Sequence, residues 1–150
     1  MNWCLAHMEV EMKEEQENIQ VVQSMFEAFG QGNIPAALNT FADDVDFQSP
    51  VTRNAPAEIS WAKPRYRREE VAEFFKELSD KMQIERMEAT SFTAQSNLVV
   101  VEGKNRGTVR STGNAYEHDW VMVFTLKEGR IIRHRHYYDT ADVVVAFHRQ

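Results

Sequence analysis

The sequence predicts an α+β fold, a curved antiparallel sheet packed on N-terminal helices. Three observations lead there. Helical apolar spacing is confined to the first half of the chain and its last dozen residues. From Ile84 to Tyr138 the apolar period drops to two, and Gly103 and Gly107 stand inside one of the long strands this implies. Helices grouped ahead of a run of hairpin-linked strands make an α+β pattern rather than a parallel α/β one. Glycines inside long strands mark bulges or bends, so the sheet is expected to curl into a cone. The expected order is α-α-β-α-β-β-β-β-α.

The first helix rests on Ile19, Val22, Phe26 and Phe29, which form one stripe, with Glu14, Glu15 and Glu17 near its start and Gly30 and Gly32 as its stop. A short second helix is expected over 35–42, with Pro35 in its first turn and Asn33 as a cap. Val45-Asp46-Phe47 alternates like a short strand. Three of the four prolines fall within 49–64, a long loop that holds Trp61, and loops of that length often cover a site. Val71, Phe74, Phe75, Leu78 and Met82 trace the third helix. Strands are expected over 84–94, 98–110, 115–126 and 130–138, separated by Gln95-Ser96-Asn97, Ser111-Thr112-Gly113-Asn114 and Lys127-Glu128-Gly129. The last helix is expected over 140–149, capped by Asp139 or Thr140.

The chain has 150 residues, 43% hydrophobic and 27% charged, enough for one domain with its own core. Its net charge of −6 argues against general binding to nucleic acid or anionic lipid. Cys4 is the single cysteine, which excludes an intramolecular disulfide and a cysteine-cluster metal site. No apolar run is long enough to span a membrane. Residues 1–15 lack the basic start and apolar stretch of a secretory signal. The expectation is a cytoplasmic protein with 1–15 as a disordered or loosely attached extension and 16–150 as one domain.

Strand alternation sorts the side chains around the hollow of such a sheet. One face of the last strand carries Ile132, His134, His136 and Tyr138, and the other carries Ile131, Arg133, Arg135 and Tyr137. The preceding strand offers Tyr116, His118, Trp120, Met122, Phe124 and Leu126 on one side. The histidine and aromatic faces are expected inside, because arginines do not enter a core without partners. An apolar wall with a few convergent polar groups describes a small-molecule pocket. His134 and His136 then have three open readings: acid/base or hydrogen-bonding groups, structural groups, or metal ligands with His118 or Asp139. Trp61, Trp120 and Phe47 could wall a pocket or fill core. Arg65, Arg67 and Arg68 could bind an anion or be exposed helix-start arginines. Arg133 and Arg135, with Arg106 and Arg110, could pair with acids across a dimer or lie on a solvated face.

The phrases VVQSMFEAFGQGNIPAALNTFADDVDFQSP, REEVAEFFKEL and EGRIIRHRHYYDT, with the closing short helix, resemble the nuclear transport factor 2-like superfamily over roughly 16–149. Within it they are most similar to SnoaL-like, ketosteroid isomerase-related proteins. The resemblance implies a cone-shaped α+β barrel with an apolar pocket and a homodimer packed through the sheet. It spans isomerases, polyketide cyclases, epoxide hydrolases, dehydratases and non-catalytic modules. Where ketosteroid isomerases carry an aspartate base before a proline, this chain has Ser49 before Pro50. Where SnoaL-type cyclases carry an acidic acid/base on the last strand, it has His136. The expected function is acid/base isomerisation or cyclisation of a small hydrophobic carbonyl or polyketide-like molecule, without cofactor or metal. His136, His134 and Tyr138 are the expected catalytic residues, and Trp61, Trp120, His118 and Phe47 the expected ligand-binding ones. The alternative is a non-catalytic ligand-binding or dimerisation module of the same fold.

Overall fold

The computed structural model describes residues 2–148. In chain order they form α1 (Asn2–Gly30), α2 (Ile34–Leu38), β1 (Phe41–Gln48), α3 (Arg68–Lys81), β2 (Met82–Gln95), β3 (Leu98–Val109), β4 (Ala115–Lys127), β5 (Arg130–Tyr138) and α4 (Thr140–Ala146). This is the element order expected from the sequence. The strands make one curved, unclosed sheet in the order β1-β5-β4-β3-β2. β2 to β5 are antiparallel neighbours, whereas β1 adds to the edge parallel to β5. No helix among the described residues is long and apolar enough to cross a membrane.

Several boundaries differ from the sequence reading, each for a local reason. α1 starts at Asn2, because residues 2–29 hold neither glycine nor proline and are rich in helix formers. Its first turns stand away from the core, with Trp3 75% exposed and Leu5, Met8 and Met12 also exposed. α2 ends at Leu38, since Phe41 pairs with Ile131 and the Ile131 N–H donates to Thr40 O at 2.8 Å, which draws Phe41 and Ala42 into β1. Asn33 caps α2 as expected, its Oδ1 accepting from the Ala36 N–H at 3.2 Å. Asp139 caps α4 by accepting from the Asp142 N–H at 3.1 Å. That helix ends at Ala146, and Arg149 lies outside the described residues.

Parity on β5 needs a correction. Phe124 pairs with His134 and Thr125 with Arg133, but Leu126 pairs with Ile131, so the register skips Ile132. This bulge turns Ile131 inward, to 0% exposure, and leaves Ile132 half-buried, the reverse of the expected alternation. His134, His136 and the β4 row from Tyr116 to Leu126 are buried as expected. Arg135 is buried too, at 8% exposure, because it has a partner: its guanidinium donates to Asp46 Oδ2 at 2.8 Å and to Asp46 O and His134 O at 3.0 Å each. Arg106 pairs with Glu85, and Arg110 donates to Ser79 O, all within the chain.

The curl of the sheet has a specific origin. Gly103 faces Trp120 across the ladder and Gly107 faces Tyr116. A Cβ at Gly103 would lie 2.1 Å from Trp120 Cζ2 and 2.3 Å from Glu88 O, and one at Gly107 would lie 2.3 Å from the Tyr116 hydroxyl and 2.4 Å from Gln83 O. The rings therefore lie across β3 where it has no side chains. On the other side of β3, β2 slips register beside both pairs, between Ile84 and Arg86 and between Ala89 and Ser91. Gly103→Ala is expected to destabilise the fold by about 2 kcal/mol or more, read from the urea midpoint. Because Glu88 O is backbone, a Trp120→Leu background should relieve only part of that loss. Full relief in the double variant would show that ring contact alone limits the position.

Candidate active site

The concave side of the sheet, α1 and α3 enclose a cavity of ≈ 70 Å³. Phe26 and Phe29 of α1, Phe74 and Phe75 of α3, and four methionines (Met25, Met82, Met87 and Met122) supply most of its apolar wall. Its polar groups are few: Ser49, His134, His136, Tyr138, His118, Asn105 and Tyr116. Trp61 and Phe47 also line it. Trp120 does not line it; its ring stacks on Phe26 at 5.5 Å and meets His136 edge-on at 5.8 Å.

His136 is the best-defined polar group. Its Nδ1 lies 2.8 Å from Ser49 Oγ, both residues being buried, and its Nε2 is buried without a partner. The backbone holds the pair together, because the Val51 N–H donates to His136 O at 2.9 Å just beyond Ser49. Ser49 and His136 are the two positions where the chain departs from the isomerase and cyclase patterns, and here they bond to each other. Burial pushes the His136 pKa well below the usual imidazole value, and the neighbouring His134 and His118 push it the same way. The ring is therefore neutral at pH 7. When Ser49 donates to Nδ1, Nε2 carries the proton; when Nδ1–H donates to Ser49, Nε2 presents a lone pair.

His134 lies flat on Phe47, ring centres 4.3 Å apart, with Phe124 and Phe41 edge-on to it. Burial, and secondarily Arg135, lower its pKa to about 3. Tyr138 sits between the other two histidines, 4.7 Å from His136 and 5.3 Å from His118 by ring centres. Its oxygen accepts from Trp61 Nε1 at 3.3 Å, which leaves its own proton to donate, and burial above all raises its pKa. His118 Nδ1 lies 3.0 Å from Asp142 Oδ2, and the same oxygen accepts from the Glu117 N–H. Burial first, and Glu85 second, push the Tyr116 phenol up to about 12.

The loop after β1 supplies Ser49 and Trp61 to the cavity wall and is tied down at its far end. Phe47 and Arg65 exchange two backbone hydrogen bonds of 2.8 Å. Arg65, only 1% exposed, donates to Trp61 O, Glu70 O and Glu77 Oε2. This corrects the reading of Arg65 as an exposed or anion-binding arginine: it anchors the loop that carries Trp61. Arg68 likewise donates to Phe41 O and pairs with Asp43. Among the described residues no three His, Cys, Asp or Glu side chains are grouped to hold a metal ion.

Sequence reasoning missed Asp142 and Asn105. Asp142 reaches His118 only because α4 folds back along β4, a contact that no local spacing encodes. Asn105 was within reach, since counting in twos from Val99 and Val101 puts it on the inner face.

The buried histidines make stability pH-dependent. His134 titrates near 3 in the folded chain and near ~6.5 when unfolded, so between those values the unfolded chain binds more protons. Stability is then fully present above pH 6.5 and falls on acidification. The expected loss is up to about 1.4 kcal/mol per pH unit for each such histidine. Urea midpoints at pH 7.5, 6.5, 5.8 and 5.0 should show a steeper fall in the wild type than in His134→Phe. Equal slopes would exclude a neutral buried His134.

No curated protein matched the chain. Among solved structures, a nuclear transport factor 2-like protein from Burkholderia xenovorans LB400 is 28% identical, with a TM-score of 0.76 over 89% of this chain and 98% of its own. An LEH-like epoxide hydrolase from M. tuberculosis is 16% identical, with a TM-score of 0.69 over 89% of this chain and 90% of its own. TerC, co-crystallised with polyporic acid, is 19% identical, with a TM-score of 0.75 over 87% and 97%. The family model for the SnoaL-like domain matches residues 22–134, three quarters of the chain and both ends of the cavity-forming sheet, and on that match the chain belongs to the SnoaL-like domain family.

Proposed function

We propose that the chain is a cofactor-free acid/base catalyst acting on a small hydrophobic carbonyl compound. The observation that carries the reading is the Ser49–His136 pair, whose second ring nitrogen is buried and unpartnered on a side chain that lines an apolar cavity. A neutral imidazole in such a place can take a proton from the carbon beside a carbonyl. The electrons of the broken C–H bond move to the carbonyl oxygen, and the Tyr138 O–H, freed by the Trp61 bond, donates to it. The imidazolium then returns the proton to the same carbon or to a conjugated one, so the isomerisation consumes nothing. Trp61 and Phe47 hold the apolar body, while His134 completes the wall as a neutral ring.

The cavity is smaller than the roughly 150 Å³ that takes up benzene, so a ring compound must displace side chains on entry. The four methionines suit this, being unbranched and adaptable. A second reading, a non-catalytic ligand-binding module, is favoured by that small space and by the neutral Ser49 at the isomerase base position.

Uptake of α-deuterium into cyclohexanone in D₂O, followed by NMR, tests the proposal. The wild type should accelerate exchange, His136→Gln should lose at least about 100-fold, and Tyr138→Phe should lose a similar factor. The wild-type rate should stay level from pH 8 to pH 6.5, since His136 does not charge there. Saturable binding with exchange at the solution rate would support the carrier reading instead.

The reading extends to assembly. Val100, Val121 and Val123 lie half-buried on the convex face of the sheet, which supports a homodimer packed there. Sedimentation velocity should give twice the chain mass, and a monomer at micromolar concentration would overturn it.

A further inference from the structure

We infer that Asn105 and His118 form a second polar contact point in the cavity, one that binds a hydroxyl group, so that the compound acted on is a hydroxylated cyclic carbonyl. The inference rests on the reading above for the carbonyl end of the ligand and adds the other end.

Asn105 and His118 are directly opposite across β3 and β4, and both line the cavity. Directly opposed residues have Cβ atoms about 4.5–5.5 Å apart, so the two side chains share one patch of wall. On its other side Asn105 is opposite Met87, which offers no strong hydrogen-bonding group. The amide oxygen of Asn105 is buried and has no partner. Six side-chain atoms among the described residues share that condition. Those of Asn105, His134 and His136 belong to side chains that line the cavity, and those of Asp46, Arg65 and Trp120 do not. Unpaired polar atoms that gather at one cavity point to a ligand that pairs them.

The chemistry of that ligand follows from His118. Its Nδ1 faces a carboxylate oxygen of Asp142, which only accepts when ionised, so Nδ1 carries a proton and Nε2 is the ring's remaining polar atom. The unpartnered Asn105 oxygen accepts, and a hydroxyl, which both donates and accepts, can meet it and His118 Nε2 together. A hydroxyl also satisfies the Asn105 amide in either orientation, which an ether oxygen does not. His136 pairs with Met122, four residues beyond His118 along β4. That spacing is about 13 Å along the β4 backbone, while the two imidazole centres, 4.7 and 5.3 Å from that of Tyr138, lie within about 10 Å of each other. A ring with its carbonyl and hydroxyl on opposite carbons spans such a gap.

NMR titration of the wild type with 4-hydroxycyclohexanone and 4-methoxycyclohexanone tests the inference. The wild type should bind the hydroxy compound at least about tenfold more tightly. Asn105→Leu should bring the two affinities within about twofold by weakening only the hydroxy compound, and Asn105→Asp, which keeps an acceptor, should retain the preference. His136→Gln should lose exchange activity yet keep the preference, which separates this inference from the catalytic one. An undiminished preference in Asn105→Leu, no preference in the wild type, or binding of neither compound would overturn it.

Discussion

Trp120 and Tyr116 lie across β3 at Gly103 and Gly107, where any Cβ would collide with both the ring and the β2 backbone. Everything else in the molecule depends on that close approach. It lets the sheet fold over its own aromatic residues, with β2 slipping register beside each glycine, and so gives the sheet a concave side. α1 and α3 pack into the concavity without filling it. A flat sheet of the same strands would leave His118, His136 and Tyr138 in a row with nothing enclosed between them.

Burial then decides the chemistry of the residues the curvature gathers. Desolvation is the first cause of the lowered pKa values of His134 and His136 and of the raised value of Tyr138. All three are therefore neutral near pH 7, which leaves imidazole lone pairs and a phenol O–H as hydrogen-bonding groups inside the hollow. His118 differs in having a carboxylate at its outer nitrogen, which fixes the direction its other nitrogen presents. Three histidines on two strands thus have three environments: one backed by serine, one by aspartate, and one stacked among phenylalanines.

The long loop between β1 and α3 joins the architecture to the site. Arg65 anchors it from inside, and Trp61 reaches from it to the Tyr138 hydroxyl. A buried arginine in a loop is costly unless its donors are met, and the carbonyls of Trp61 and Glu70 with the Glu77 carboxylate meet most of them. The loop that lines the site with Ser49 and Trp61 is in this way tied to α3 and to a candidate catalytic group at once.

Much of this was legible in the residues before any coordinates. The apolar periods of Ile19–Phe29, Val71–Met82 and the four long strands are local, and they specify which elements form and in what order. The inward set Tyr116 to Leu126, with His134 and His136, follows from alternation once the arginine-bearing face is set outside. Tertiary structure decided what depends on contacts between distant segments. Ile131 rather than Ile132 turned inward because of a bulge set by pairing with β4. Arg135 and Arg65 went inside because Asp46 and Glu77 were brought to them. Ser49 met His136, and Asp142 met His118, across 87 and 24 residues of chain. Periodicity reports the face on which a residue lies, whereas a partner's identity depends on the curvature and register of the whole sheet, to which no short stretch of sequence has access.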